Sequence, residues 1–187
     1  MTAMRKWFRV GRLRAFGAPI YFHWSVPVAV AFLLALSITS PIHATVSIVS
    51  YLGIITLHEL GHSIAAHRLG YTVEAIWINF IHGRCEFEAP EYEWDHVRIA
   101  WAGVLAQLAV AVPVLVAASI FQAEDFGYLA PAVIFLGYVN LFIAFLNLAP
   151  GAGFDGQVAW RVLPLWHEGR KAKRATKKAI SSLAKRR

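Results

Sequence analysis

Apolar and polar positions in this chain do not mix evenly. Apolar residues collect in four long runs, at about 24–40, 44–67, 97–121 and 128–148. Each run is near or above the ~17–20 residues that a helix needs to cross the hydrocarbon core of a bilayer. Between the second and third runs the pattern changes. Residues 73–88 alternate and are rich in β-branched and aromatic side chains, with His82-Gly83 at the middle, which predicts a β-hairpin. A further strand is predicted within 10–22. The first run follows a basic start, as a signal peptide would, but no small-x-small cleavage site with a soluble domain behind it follows, so an uncleaved first span is expected. The fold class predicted is an α-helical polytopic membrane protein with about four transmembrane helices and a small β-hairpin or sheet.

Composition strengthens that picture. Of 187 residues, 58% are hydrophobic and 16% charged, against about 25% charged in a soluble globule. One cysteine, Cys85, excludes an internal disulfide framework. No repeat and no Gly/Ser linker interrupts the chain, so one domain over 1–165 and a basic tail over 166–187 are expected.

Charge adds an orientation. The 18 Lys and Arg fall in three groups: five before the first run, Arg68, Arg84 and Arg98 around the hairpin, and Arg161 with all later ones after the fourth run. Four crossings place all three groups on one side, and the positive-inside rule makes that side cytoplasmic. Both termini and the sheet are therefore expected in the cytoplasm, in a multi-pass integral membrane protein. The tail GRKAKRATKKAISSLAKRR predicts attraction to anionic lipid, at about 1 kcal/mol per basic residue near the surface. No nucleic-acid module or aromatic stacking platform accompanies it, so nucleic acid is not expected as a partner.

One apolar run carries chemistry that hydrocarbon does not tolerate idly. The segment GIITLHELGHSIAAHRLG, residues 53–70, contains His-Glu-Leu-Gly-His. On a helix His58 and His62 share a face and can offer two imidazoles to one metal ion, while Glu59, one step round, can act on a nearby water. This is the residue set of zinc hydrolases, with two His ligands and a Glu general base. A carboxylate at mid-span costs about 2.5–3.5 kcal/mol on insertion scales, which marks it as functional.

A third ligand is required. His67 turns to the opposite side of an ideal helix from His58, and His82 and His96 are weaker rivals in the predicted cytoplasmic segment. A stronger candidate follows the fourth run, in NLFIAFLNLAPGAGFDGQVAW, residues 140–160. Asn147 ends the run, Pro150, Gly151 and Gly153 break helical continuity, and Asp155-Gly156 follows. Irregular backbone at membrane depth is tolerated where protein buries it or where it lines a wet cavity. The second and fourth runs traverse in the same direction, and His58 lies about 15 Å from the inner edge at 1.5 Å per residue. Asp155 can therefore meet the two histidines in the cytoplasmic half of the bilayer.

HELGH in one span and NLAPGAGFDG after a later one together resemble the site-2 protease family of intramembrane zinc metalloproteases. Asn147, Pro150, Asp155 and Gly156 match the family's Asn-x-x-Pro-x-x-x-x-Asp-Gly position by position, and FGAPIYFHWS, residues 16–25, is similar to its entry into the first span. The resemblance implies that His58, His62 and Asp155 hold one Zn2+ ion, that Glu59 is the catalytic base, and that Asn147 helps position substrate or the developing oxyanion. It implies cleavage of peptide bonds in or near the transmembrane segments of membrane proteins, as in regulated intramembrane proteolysis. This chain departs from the family at FIHGRCEF, where a Pro-x-Gly-Gly-like turn is frequent, at Val104 and Gln107 in WAGVLAQL, where Pro and Asn are usual, and at Gln157, in place of a frequent second Gly.

Two other readings compete: a catalytically silent adaptor that binds membrane helices, and a membrane protein that binds or transports metal. Gln107 and Asn140 are expected to hydrogen-bond between helices, and Gly103 and Gly137 to let helices approach closely. Cys85 is expected to be a packing residue. The free edge of the hairpin is the expected docking strand for an unwound substrate. Nothing in the sequence fixes the oligomeric state.

Overall fold

The computed structural model describes residues 6–36, 40–121 and 123–184. It is mainly helical, with one small sheet. Two strands come first, β1 (Trp7–Ala15) and β2 (Ala18–His23), then helices α1 (Ser25–Leu36) and α2 (Pro41–Arg68), then β3 (Val73–Ile78) and β4 (Gly83–Phe87), and then α3 (Glu93–Ile120). The fourth apolar run is a composite: a 3-10 stretch Ala123–Leu129, α4 (Ala130–Val133), a π-helical stretch Ile134–Val139, and α5 (Asn140–Asn147). A single turn, α6 (Gly156–Ala159), and a long basic helix, α7 (Val162–Ala184), complete the described chain. α7 runs without a break across 165/166, where the expected domain ends and the expected tail begins.

Three helices are long and apolar enough to cross a membrane: Pro41–Arg68, Glu93–Ile120 and Phe126–Asn147. They correspond to the second, third and fourth runs of the sequence. The first run forms a shorter apolar helix of 12 residues, Ser25–Leu36; its expected continuation over 37–39 lies outside the described residues. At 1.5 Å per residue those 12 residues reach about 18 Å, against about 30 Å of hydrocarbon. Pro41 starts α2 in the first turn, where a missing N–H costs nothing, and a residue ahead of proline is disfavoured in helical geometry.

The sheet has the order β1-β2-β3-β4. β1 and β2 are an antiparallel hairpin closing at Ala15↔Ala18. Its two turn residues, Phe16 and Gly17, have φ of 51° and 84°, the doubly left-handed turn that suits the twist of two strands. The expected single strand within 10–22 is thus the middle of a two-stranded ribbon. β2 pairs parallel with β3, Ile20↔Ile76 to Phe22↔Ile78, and the α1–α2 pair supplies the long crossover that parallel pairing needs. β3 and β4 form the predicted hairpin, with Ile78↔Gly83 at its end. There the Asn79 carboxamide oxygen accepts from the backbone N–H groups of Ile81 and His82 at 2.7 and 2.8 Å. Ala18, Ile76 and Ile78 on one sheet face pack with Ile55 and Ala66 of α2 and Ile99 of α3 into the buried core. The sheet therefore lies against the stretch of α2 that carries His-Glu-Leu-Gly-His.

Candidate metal centre

The site begins with the contact between α2 and α3. Gly61 and Gly103 allow the two helices to touch at backbone level. A Cβ at Gly61 would lie 2.5 Å from the Ala102 carbonyl oxygen and 2.9 Å from Gly103 Cα. A Cβ at Gly103 would lie 2.5 Å from His62 Nε2 and 2.8 Å from His58 Cε1. The bare backbone of α3 is thus the wall on which both imidazoles rest, a closer approach than any side chain would allow.

The same helix orients the rings. His62 Nδ1 donates to the Ile99 carbonyl oxygen at 2.7 Å, and a carbonyl only accepts, so Nδ1 carries hydrogen and Nε2 of the neutral ring presents a lone pair. His58 Nδ1 pairs with Gln107 Oε1 at 3.0 Å, which places its hydrogen in the same way. The two Nε2 atoms are 3.1 Å apart. Asp155 Oδ2 lies 3.0 Å from His58 Nε2 and 3.3 Å from His62 Nε2, yet this buried oxygen accepts no hydrogen bond. With both Nδ1 hydrogens placed outward, three electron-pair donors converge, an arrangement that repels itself unless a proton or a metal cation lies between them. The donor set, two imidazoles and a carboxylate, suits zinc with an open fourth position. Among the described residues His58, His62 and Asp155 are the one group of His, Cys, Asp and Glu side chains placed to share a metal ion. Ile99 and Gln107, bonded to the far nitrogen of each ring, fix the orientation of the imidazoles as outer hydrogen bonds do in metal sites.

Asp155 reaches the imidazoles from the break after α5. Pro150, Gly151 and Gly153 keep the chain from helical winding, and Gly153 sits at φ 91°. Gly156 packs so closely on the carbonyl oxygens of Leu148 and Ala149 that no side chain fits. Asn147, the last residue of α5, lies with Nδ2 3.3 Å from His58 Nδ1 and 3.4 Å from Gln107 Oε1.

Glu59 follows His58 on α2 and is only 5% exposed. Its carboxylate is packed against Gly83, the first residue of β4, where an added Cβ would lie 2.5 Å from Oε1. A cavity of about 910 Å3 joins these groups; His58, Glu59, His62, Gln107, Asn147 and Asp155 all line it, and β4 forms part of its wall. Cys85 of β4 also faces it, 3.1 Å from Ser63 Oγ. Burial pushes the Cys85 thiol up to about 11, with the Glu59 and Glu86 charges adding and the Ser63 hydrogen bond opposing.

The rival ligands lie elsewhere. His67 stacks on Phe16 at 5.0 Å, and His82 bonds to Asn79 in the hairpin turn. His96 lines the cavity without joining the ligand cluster. Sequence reasoning singled out the three clustered side chains, His58, His62 and Asp155, and Glu59 beside them, but not how they are held. Gln107, expected to bridge helices, holds a ligand imidazole; Gly103, expected to allow close approach, does so against the imidazoles themselves. The roles of Ile99 and Gly83 had no sequence signal beyond proximity to a hairpin and an Ala-Gly pair.

Known proteins share this arrangement of chain. No family model matches the sequence. Zinc metalloprotease MJ0392 of Methanocaldococcus jannaschii is 28% identical over 151 residues, which cover 80% of this chain and 43% of that protein. Rip3 of Mycobacterium tuberculosis is 30% identical over 176 residues, covering 82% of this chain and 42% of that protein. The chain thus spans less than half the length of these relatives. Among solved structures, the site-2 protease from Methanocaldococcus jannaschii superposes with a TM-score of 0.63 at 26% identity, over 83% of this chain and 71% of that one.

Proposed function

The chain is a relative of the site-2 protease family, and from that premise we propose that it is an intramembrane zinc metallopeptidase, cutting peptide bonds in or near the transmembrane segments of membrane proteins. The observation that carries this reading is the convergence of three lone-pair atoms beside a buried carboxylate in one cavity. His58, His62 and Asp155 would hold the ion. Zinc, when bound, would supply Lewis acidity that polarises the scissile carbonyl and makes water a competent nucleophile near neutral pH.

The protein groups do the rest. Glu59 takes the proton of the attacking water and delivers it to the leaving amine, as a general base that becomes a general acid. Gln107 and Ile99 hold the imidazoles with their Nε2 atoms facing the cavity. Asn147, at the cavity wall, offers its amide to the substrate carbonyl or the oxyanion. A helical substrate hides its carbonyls, so it must unwind; the free edge of β4 offers it a strand partner beside Glu59.

Residues 1–165 act as the peptidase domain and 166–187 as a basic tail lying on anionic lipid. The domain crosses the bilayer about four times with both termini and the sheet in the cytoplasm, a reading supported by the placement of Lys and Arg. The test is a zinc measurement on purified wild type, His58→Ala and Asp155→Ala, beside cleavage of a model transmembrane peptide. Wild type is expected to hold one zinc and cleave; both variants are expected to lose the ion and the activity together. Full cleavage by metal-free protein would refute the reading.

A further inference from the structure

The backbone that carries Asp155 is poorly supported by its own secondary structure. α6 is one turn long, well below the length at which a helix is stable alone. Asp155 flanks its N-terminus but makes no side-chain cap bond to it, because the carboxylate faces the imidazoles. Two indole N–H groups hold the segment instead. Trp160 Nε1 donates to the Leu148 carbonyl oxygen at 2.7 Å, closing the break on itself across 12 residues. Trp101 Nε1, from α3, donates to the Ala159 carbonyl oxygen at 3.1 Å. The two rings meet edge to face with centroids 5.8 Å apart. Leu148 follows the end of α5 and Ala159 ends α6, where carbonyls lack intrahelical partners. An indole is a donor with no acceptor, so neither ring competes for a cation.

We propose that Trp101 and Trp160 are positioning residues for Asp155: a two-indole clamp that fixes the 148–160 segment to α3 and so presents the Asp155 carboxylate to His58 and His62. α3 then registers every ligand, the two imidazoles through Ile99 and Gln107 and the carboxylate through Trp101. This rests on the metal-centre reading above and adds how its third ligand is delivered.

The experiment measures zinc affinity by chelator competition on the full chain in detergent, for Trp101→Phe and Trp160→Phe, each of which keeps a ring and removes the N–H. Trp166→Phe, at an indole exposed on α7, is the control. Each clamp variant is expected to weaken zinc binding about five- to tenfold, with the metal-free thermal midpoint close to that of wild type and the control unchanged. In an Asp155→Ala background, titrated at zinc concentrations high enough to fill the weaker two-histidine site that remains, the same substitutions are expected to cause no further loss, because the group they position is gone. Unchanged affinity in both clamp variants, beside a clear loss in Asp155→Ala, would overturn the clamp while sparing the metal centre; so would a loss that persists without Asp155. If Asp155→Ala itself binds zinc as wild type does, the metal centre and the clamp both fall. Where only one clamp variant folds, unchanged affinity in that one overturns the clamp.

Discussion

Gly103→Ala is the sharpest test of how the imidazoles are placed. The added methyl carbon would sit 2.5 Å from His62 Nε2, 2.6 Å from its Cε1 and 2.8 Å from His58 Cε1. Ordinary contact begins near 3.4 Å, so the His62 ring must withdraw by about 0.9 Å. Metal-ligand distances tolerate only about 0.2 Å. The ring cannot slide freely, because its Nδ1 is bonded to the Ile99 carbonyl. The loss should therefore exceed the roughly 10–100-fold typical when a hydrogen bond to a metal ligand is disturbed, and we expect at least about 100-fold weaker zinc binding, or about 2.8 kcal/mol. Chelator competition with a chromophoric zinc indicator reads it directly. The companion variant is Gly53→Ala on α2, where an added methyl meets nothing within 4 Å; it should bind zinc normally and be slightly more stable. Zinc affinity in Gly103→Ala within about threefold of wild type would refute the reasoning.

Glu59→Gln should retain zinc and lower cleavage by about 10²–10⁴-fold; unchanged cleavage would favour a role for the fold without general-base chemistry. Gln107→Leu removes the acceptor for His58 Nδ1 and should weaken zinc about 10–100-fold, measured by the same competition. Cys85, with its thiol pushed up to about 11, should react with iodoacetamide only slowly at pH 8, because reaction needs the thiolate; the rate followed by mass spectrometry should rise with pH towards 11 and match that of an exposed thiol in the unfolded chain. Replacing Lys171, Lys173, Arg174, Lys177 and Lys178 by Gln should weaken binding of the purified protein's tail to vesicles containing phosphatidylserine, by about 1 kcal/mol per residue, and leave binding to neutral vesicles unchanged.

Legibility in the sequence followed the range of each interaction. His58, Glu59 and His62 are set by one helix period, so their shared placement could be read from a pentapeptide. Asp155 needed the further inference that two distant segments meet at the same depth, and the two motifs together supplied it. The parallel pairing of β2 with β3 escaped, because residues 18–23 and 73–78 are brought together only by the intervening helices. The tail looked merely basic; its apolar positions, such as Trp166 and Ile180, recur at helical spacing inside α7 together with Val162 just ahead of the tail, but dense charge hides that period. The holding contacts were least legible. A backbone carbonyl at Ile99 has no residue-type signature, and Gln107 in an apolar run reads as any interhelical polar group until its partner is known.

The π-helical stretch Ile134–Val139 gives the fourth run some slack in length. Such a stretch accommodates an extra residue relative to α-helical winding. Each residue turns a helix by about 100°, and the wide turn takes up its surplus without turning what lies downstream. Asn140, which donates to the Gln107 backbone carbonyl oxygen at 3.0 Å, and Asn147, beside His58, both lie downstream. Between 134 and 139, side chains of similar bulk can be exchanged while the aim is kept. Deleting one position there would let the stretch relax to α-helical winding with both asparagines still facing α3, whereas a deletion inside α5, which holds no such slack, would turn Asn147 away from His58 by about 100°.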